Sequence, residues 1–260
     1  MKILAIANHK GGVGKTATAR ALGGMLAEAG RRVLLIDSDH QGSLTLSCGL
    51  RNYDGPGLAD VYAVGGRKPA RLAEVVKTIK PGLDLAPAGL SLAAGETELV
   101  NRPGREFALS DALGGLGGAY DLVIIDCPPA LGLLVYNALC AADTVLIPTQ
   151  ANPVDVAGVA MFLDTIDTIR ANKRLNPRLT LLGVVLTFFD ARLKTHDTGR
   201  AAMLGAGWPV LPVTIPRSIR VAEAAAVGQD IATFEPTSQA AAAYNELGEM
   251  VKLWLQKSAK

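Results

Sequence analysis

The sequence predicts an α/β protein, a doubly wound and mostly parallel sheet with helices on both faces. Three observations carry this. Short apolar runs alternate with longer segments of helical period, the runs are apolar at nearly every position, and glycine or aspartate closes several of them. In chain order the runs are ILAIAN (3–8), VLLID (33–37), LDLAPA (83–88), DLVIID (121–126), TVLIPT (144–149), LLGVVLT (181–187) and PVLPVTIP (209–216). Each matches a strand buried on both faces. Residues 15–29, KTATARALGGMLAEA, form a helix after the first strand. The Gly/Pro-rich stretch 55–69 is an excursion after the second strand, and no composition break divides the chain, so residues 1–260 are expected to form one domain.

Composition narrows the function classes. With 49% hydrophobic residues, 260 residues can bury a substantial core, and the formal charge of +2 is too small to make the whole surface bind nucleic acid. Three cysteines, Cys48, Cys127 and Cys140, are widely spaced without a CxxC, which favours neither a disulfide framework nor a zinc site and fits a cytoplasmic protein. No signal peptide or membrane span is visible.

The chemistry begins at NHKGGVGKT, residues 8–16. A strand, a glycine turn and a helix N-terminus offer successive backbone N–H groups and the positive end of a helix dipole to an anion. Gly11, Gly12, Val13 and Gly14 form the turn, Lys15 reaches the β/γ-phosphates, Thr16 offers a hydroxyl to Mg²⁺, and Ala17 follows. The usual G-x-x-x-x-G-K-[ST] pattern is broken, because His9 stands at its first glycine and a second lysine, Lys10, comes next. Two further strands end in carboxylates: VLLIDSDHQG with Asp37 and Asp39, and DLVIIDCPP with Asp126. Asp126 reads as the Walker B residue that holds Mg²⁺ directly or through water, and of Asp37 and Asp39 one anchors the loop while the other orients water.

These blocks, together with VIIDCPPALGLLVYNALCAADTVLIPTQ, FFDARLKT and IPRSIRVAEA, resemble the ParA branch of the ParA/MinD deviant-Walker ATPases. The resemblance runs from Lys2 to about Trp254. It implies ATP and Mg²⁺ as cofactors and an ATP-bound homodimer in which Lys10 crosses the interface to the partner's phosphates. It implies catalytic roles for Lys10, Lys15 and Asp39, with Asp39 as the water-orienting residue. It further implies non-specific DNA binding by the dimer and release through hydrolysis stimulated by a ParB-like activator on the cargo, a chromosome, a plasmid or another large body. Pro216 and Arg217 resemble the adenine pocket, and Arg192 and Arg220 fall in the blocks that resemble DNA-contacting regions. Localisation would be cytoplasmic and nucleoid-associated. Relatives often carry Thr where Ala17 stands, proline at His40, glutamine at His9, and an aromatic-containing acidic stretch where this chain reads ANPVDVAGV. His9 and His40 are read as loop residues without a catalytic role.

Charge supports the DNA reading independently. From Asp164 to Arg220 nine Lys/Arg face four Asp, whereas the remaining chain is acidic. Lys10 lies too near the first residue for a preceding helix-turn-helix segment, so site-specific operator binding is not expected. Three rivals stand beside this reading. A MinD-like membrane-cycling ATPase would use the C-terminal segment, but the stripe Tyr244, Leu247, Val251 and Trp254 fits a core helix, so no stable membrane association is expected. An iron–sulfur reductase would need paired cluster cysteines, and Cys127 and Cys140 read as buried small residues. A small-molecule ligase would need a substrate block, and none is apparent.

Overall fold

The structure is a computed structural model that describes residues 1–62 and 68–257. Part of the Gly/Pro-rich excursion, 63–67, lies outside the described residues. Eight strands form one sheet: β1 (Lys2–Ile6), β2 (Val33–Asp37), β3 (Lys77–Lys80), β4 (Leu83–Ala86), β5 (Leu122–Asp126), β6 (Thr144–Thr149), β7 (Thr180–Phe189) and β8 (Val210–Pro216). Their order is β3-β4-β2-β5-β1-β6-β7-β8, and every pairing except β3 with β4 is parallel. All seven apolar runs are strands. The addition is β3, whose KTIK sequence is too polar to stand out and whose antiparallel pairing forms an edge hairpin.

Alternation along the buried strands feeds two cores. Leu4, Ile6, Leu35, Ile124 and Leu146 point to one face, and Ala5, Ile36, Val123, Ile125 and Ile147 to the other. The first face is covered by α1 (Lys15–Glu28) and by a C-terminal helix, Gln239–Lys257, that inserts Tyr244, Leu247 and Val251 beside Leu22 and Leu26. Trp254 packs at the margin of the same core. The stripe on this last helix therefore faces protein. The second face is covered by several helices, among them Leu133–Ala141, Pro153–Ala171 and Lys194–Gly205.

Because the strands are parallel, the loops after β1, β2, β5, β6, β7 and β8 emerge at one edge of the sheet. Register sharpens this: Asp126 is the partner of Ile6 on one side and of Asp37 on the other. The glycine turn starts directly beyond Ile6, so it and two strand-end carboxylates converge where strand order reverses about β1, the usual ligand crevice of a doubly wound sheet.

Candidate functional site

The turn is built from left-handed glycines. Gly12 (φ 71°) and Gly14 (φ 83°) adopt backbone angles that side chains rarely tolerate, and Gly14 leads directly into α1. Val13 is fully buried and its carbonyl accepts from the Thr187 hydroxyl at 2.9 Å, which ties the turn to β7. Lys15 is nearly buried and donates to the Lys10 carbonyl at 2.8 Å, so its ammonium is held against the inside of the turn. Burial lowers its pKa, while Asp126, Cys127 and Asp39 favour the charged form.

A cleft of about 400 Å³ opens over the turn, and Gly11, Gly12, Gly14, Lys15, Thr16, Ala17, Asp39 and Pro129 are among its walls. The two aspartates after β2 take different positions. Asp37 is fully buried and accepts from the Thr45 N–H at 2.7 Å and the Thr45 hydroxyl at 2.8 Å, which fixes the short helix α2 (Ser43–Ser47) against the strand end. Asp39 stands in the cleft wall, with Oδ1 accepting from the Gln41 N–H at 3.0 Å. His40 lies 3.7 Å from the Asp39 carboxylate.

Asp126 fits a cation. Its carboxylate is 1% exposed and neither oxygen has a hydrogen bond of good geometry, a costly state for a buried polar group unless an ion or proton meets it. Burial and the neighbouring Asp37 push its pKa well up, against the pull of Thr16 and Lys15. A carboxylate beside a helix-N-terminal hydroxyl is the oxygen donor set that Mg²⁺ prefers.

A second, more apolar cavity of about 290 Å³ continues from the cleft past Thr16, Ala17, Ser43 and Phe188 toward Ser218 and Val221. Phe188 has a left-handed backbone (φ 51°), a strained state for an aromatic residue and one associated with functional sites. Pro216 ends β8 at this edge and Arg217 follows it, but the lining of the two cavities reaches Ser218 and not these two residues. Lys10 turns away from the cleft and pairs with Asp155 in the first turn of the helix Pro153–Ala171. The candidate DNA arginines are exposed and paired within the chain. Arg192 bonds Asp190 through two nitrogens at 2.9 and 2.8 Å, and Arg220 meets Glu223 at 2.8 Å and Glu235 at 3.1 Å.

Thr45, Asp155 and Phe188 do not emerge from sequence reading. For Asp155 the signal was present: Pro153 and Asp155 at the first and third helical positions mark a helix start at the sheet edge that bears the glycine turn. His9 packs its ring against Gly158 of that helix, a docking role in the loop. The three cysteines are free and buried, and burial raises their thiols, Cys140 to about 11 and Cys48 to about 12. Among the described residues no helix is long and apolar enough to cross a membrane.

The architecture and site are those of a P-loop nucleotide-binding protein, and the comparisons give the family. The AAA_31 model, described as an AAA domain, matches residues 1–181. The chromosome partitioning protein ParA of Caulobacter vibrioides is 40% identical over 255 residues, 96% of this chain and 94% of its own length. The chromosome-partitioning ATPase Soj of Thermus thermophilus is 41% identical over 256 residues, 98% and 97% of the two chains. A Mycobacterium smegmatis structure described as cobyrinic acid a,c-diamide synthase with bound ADP and magnesium has a TM-score of 0.85 at 36% identity, covering 100% of this chain and 97% of that one. The chain belongs to the AAA_31 family, within the ParA/Soj branch of the ParA/MinD-type P-loop ATPases.

Proposed function

We propose that the chain is a partition or positioning ATPase whose ATP-bound dimer holds non-specific DNA and is released by hydrolysis. The observation that carries the reading is one cleft walled by Lys15, Thr16 and Asp39, with the buried carboxylate of Asp126, which has no well-formed hydrogen bond, close to its lysine. The turn N–H groups and Lys15 bind the β- and γ-phosphates. Thr16 and Asp126 hold Mg²⁺, which when bound neutralises charge on the phosphate oxygens. Asp39 orients a water whose oxygen attacks the γ-phosphorus as the bond to the β–γ bridging oxygen breaks, leaving ADP and inorganic phosphate. Ala17, Phe188 and Ser218 line the way to the base, and Lys10 completes the partner's site. Two lysines and the loop amides then offset about four negative charges of the triphosphate in a water-poor interface.

The DNA face would comprise Arg192 and Arg220 from both subunits. A ParB-like activator on a chromosomal, plasmid or other cargo would stimulate turnover, and the protein would be cytoplasmic and nucleoid-associated. Membrane cycling is disfavoured because Tyr244, Leu247 and Val251 are buried in the core. The name of the M. smegmatis relative favours a second reading, ATP-dependent amide formation. Co-sedimentation with DNA under ATP, ADP and no nucleotide, with liposomes and an amidation assay on a corrinoid acid in parallel, separates the readings. ATP-dependent retention on DNA alone supports partition, whereas retention on liposomes or amide product overturns it.

A further inference from the structure

We propose that Asp155 holds Lys10 in a resting position within its own subunit and thereby sets the ATP concentration at which the dimer forms. This rests on the reading that Lys10 acts in trans. Asp155 is the third residue of the helix Pro153–Ala171, and its side chain is fully buried, while that of the paired Lys10 is 40% exposed. Besides the Lys10 ammonium, its carboxylate receives the Asn152 side-chain amide at 3.2 Å on Oδ2, and Oδ1 has no other hydrogen-bond partner among the described residues.

The rest of the turn is docked independently on the same helix and on the loop that precedes it. The His9 ring lies so close to Gly158 that a Cβ there would stand 2.6 Å from His9 Cε1, and the Gln150 amide donates to the Gly12 carbonyl at 3.4 Å. With the backbone held at both points, a move of Lys10 toward a partner's phosphate is a swing of its flexible side chain alone. That swing strands the Asp155 carboxylate in a buried place with one amide and a helix N-terminus to meet it. Removing one member of a buried pair is far costlier than losing an exposed one. The phosphates must therefore outbid Asp155, and a ligand shifts such an equilibrium only by its differential affinity for the two states. Asp155 is a positioning residue that restrains dimerisation and touches no reacting atom.

The test is light scattering across an ATP titration, with turnover measured on the same preparations. Asp155→Asn is expected to lower the ATP concentration for half-maximal dimer by about tenfold, while kcat of the saturated dimer stays within about twofold. Asp155→Glu, which keeps the charge, is expected to behave like the parent. Lys10→Ala should not dimerise with or without Asp155→Asn, which shows that the gain runs through Lys10. Asp155→Ala serves as the second variant should Asn fold poorly. An unchanged or higher half-point in both Asp155→Asn and Asp155→Ala, while Lys10→Ala abolishes the dimer, overturns the resting contact and leaves the trans reading standing. A Lys10→Ala protein that dimerises like the parent overturns the trans reading itself, and this proposal with it.

Discussion

Asp37 and Asp126 are register partners at the ends of adjacent parallel strands, both buried, with Thr45 bonded to the first and no well-formed hydrogen bond to the second. Two carboxyls in one dry place are harder to ionise than one. Burial, chiefly, raises Asp37 to about 6, and burial with Asp37 beside it raises Asp126 well above the usual carboxylate range. The pair is a strand-end charge reservoir that a bound cation would relieve.

A pH dependence follows, with its sign. A carboxyl raised in the folded state binds its proton more readily there, so its stabilisation is complete below the unfolded carboxylate range and is lost as pH rises through about 6. The nucleotide-free protein should lose about 1 kcal/mol between pH 5 and pH 7 from Asp37 alone. Urea unfolding across that range measures it, and Asp37→Asn should flatten the slope. A stability that rises over the same interval in the parent would contradict the assignment.

Packing around the site gives a second expectation. A Cβ at Gly199 would lie 2.0 Å from the Ala151 carbonyl oxygen, a backbone atom in the loop that leads to Asn152 and Asp155. Gly199→Ala is expected to destabilise the fold by about 2 kcal/mol, within the range for overpacking, and to lower Tm by several degrees. Gly248→Ala meets only the flexible end of Met25 and should cost less. Equal melting temperatures for Gly199→Ala and the parent would show that the loop yields freely.

How much of this was legible follows from how local each feature is. The phosphate turn, Lys15 and Thr16 are contiguous, so the letters define the geometry, and the continuous apolar runs leave no doubt about seven strands. KTIK at Lys77–Lys80 is hidden because a half-buried edge strand needs no apolar alternation. Asp155 pairs with a residue 145 positions earlier, a contact that only the shared sheet edge creates. The arginines show both cases. Asp190 beside Arg192 and Glu223 three residues after Arg220 were readable neighbours, whereas Glu235 reaches Arg220 only through the fold.

For the DNA face, Arg192→Ala and Arg220→Ala should each weaken retention and flatten the log–log salt dependence by about 0.9 for every DNA phosphate left unneutralised, twice that if both subunits contribute. Their carboxylate partners are exposed surface pairs, which are worth little, so neither change should alter stability much. DNA retention across a salt series in the ATP state is the measurement. Unchanged slopes in both variants would remove these arginines from the interface.

Hydrolysis should be separable from binding at Asp39. Its side chain lines the cleft without the buried anchoring bonds of Asp37, so Asp39→Ala should keep nucleotide affinity and the ATP-dependent dimer while turnover falls by about a hundredfold. The variant should stay on DNA after ATP addition. Normal turnover in Asp39→Ala would assign water positioning elsewhere.

The central claim is that each site takes Lys15 from one subunit and Lys10 from the other, and mixing two inactive variants tests it most directly. Alone, Lys15→Ala should fail to bind ATP and Lys10→Ala should fail to form the dimer, so neither should turn over. In a mixture, a two-fold heterodimer holds one site with both lysines and one with neither, and since neither variant pairs with itself, equal amounts should recover up to about half of the parent rate. ATPase activity of the 1:1 mixture against each variant alone is the measurement. Recovery near that level is the expected result, and a mixture as inactive as its two components would contradict the shared site.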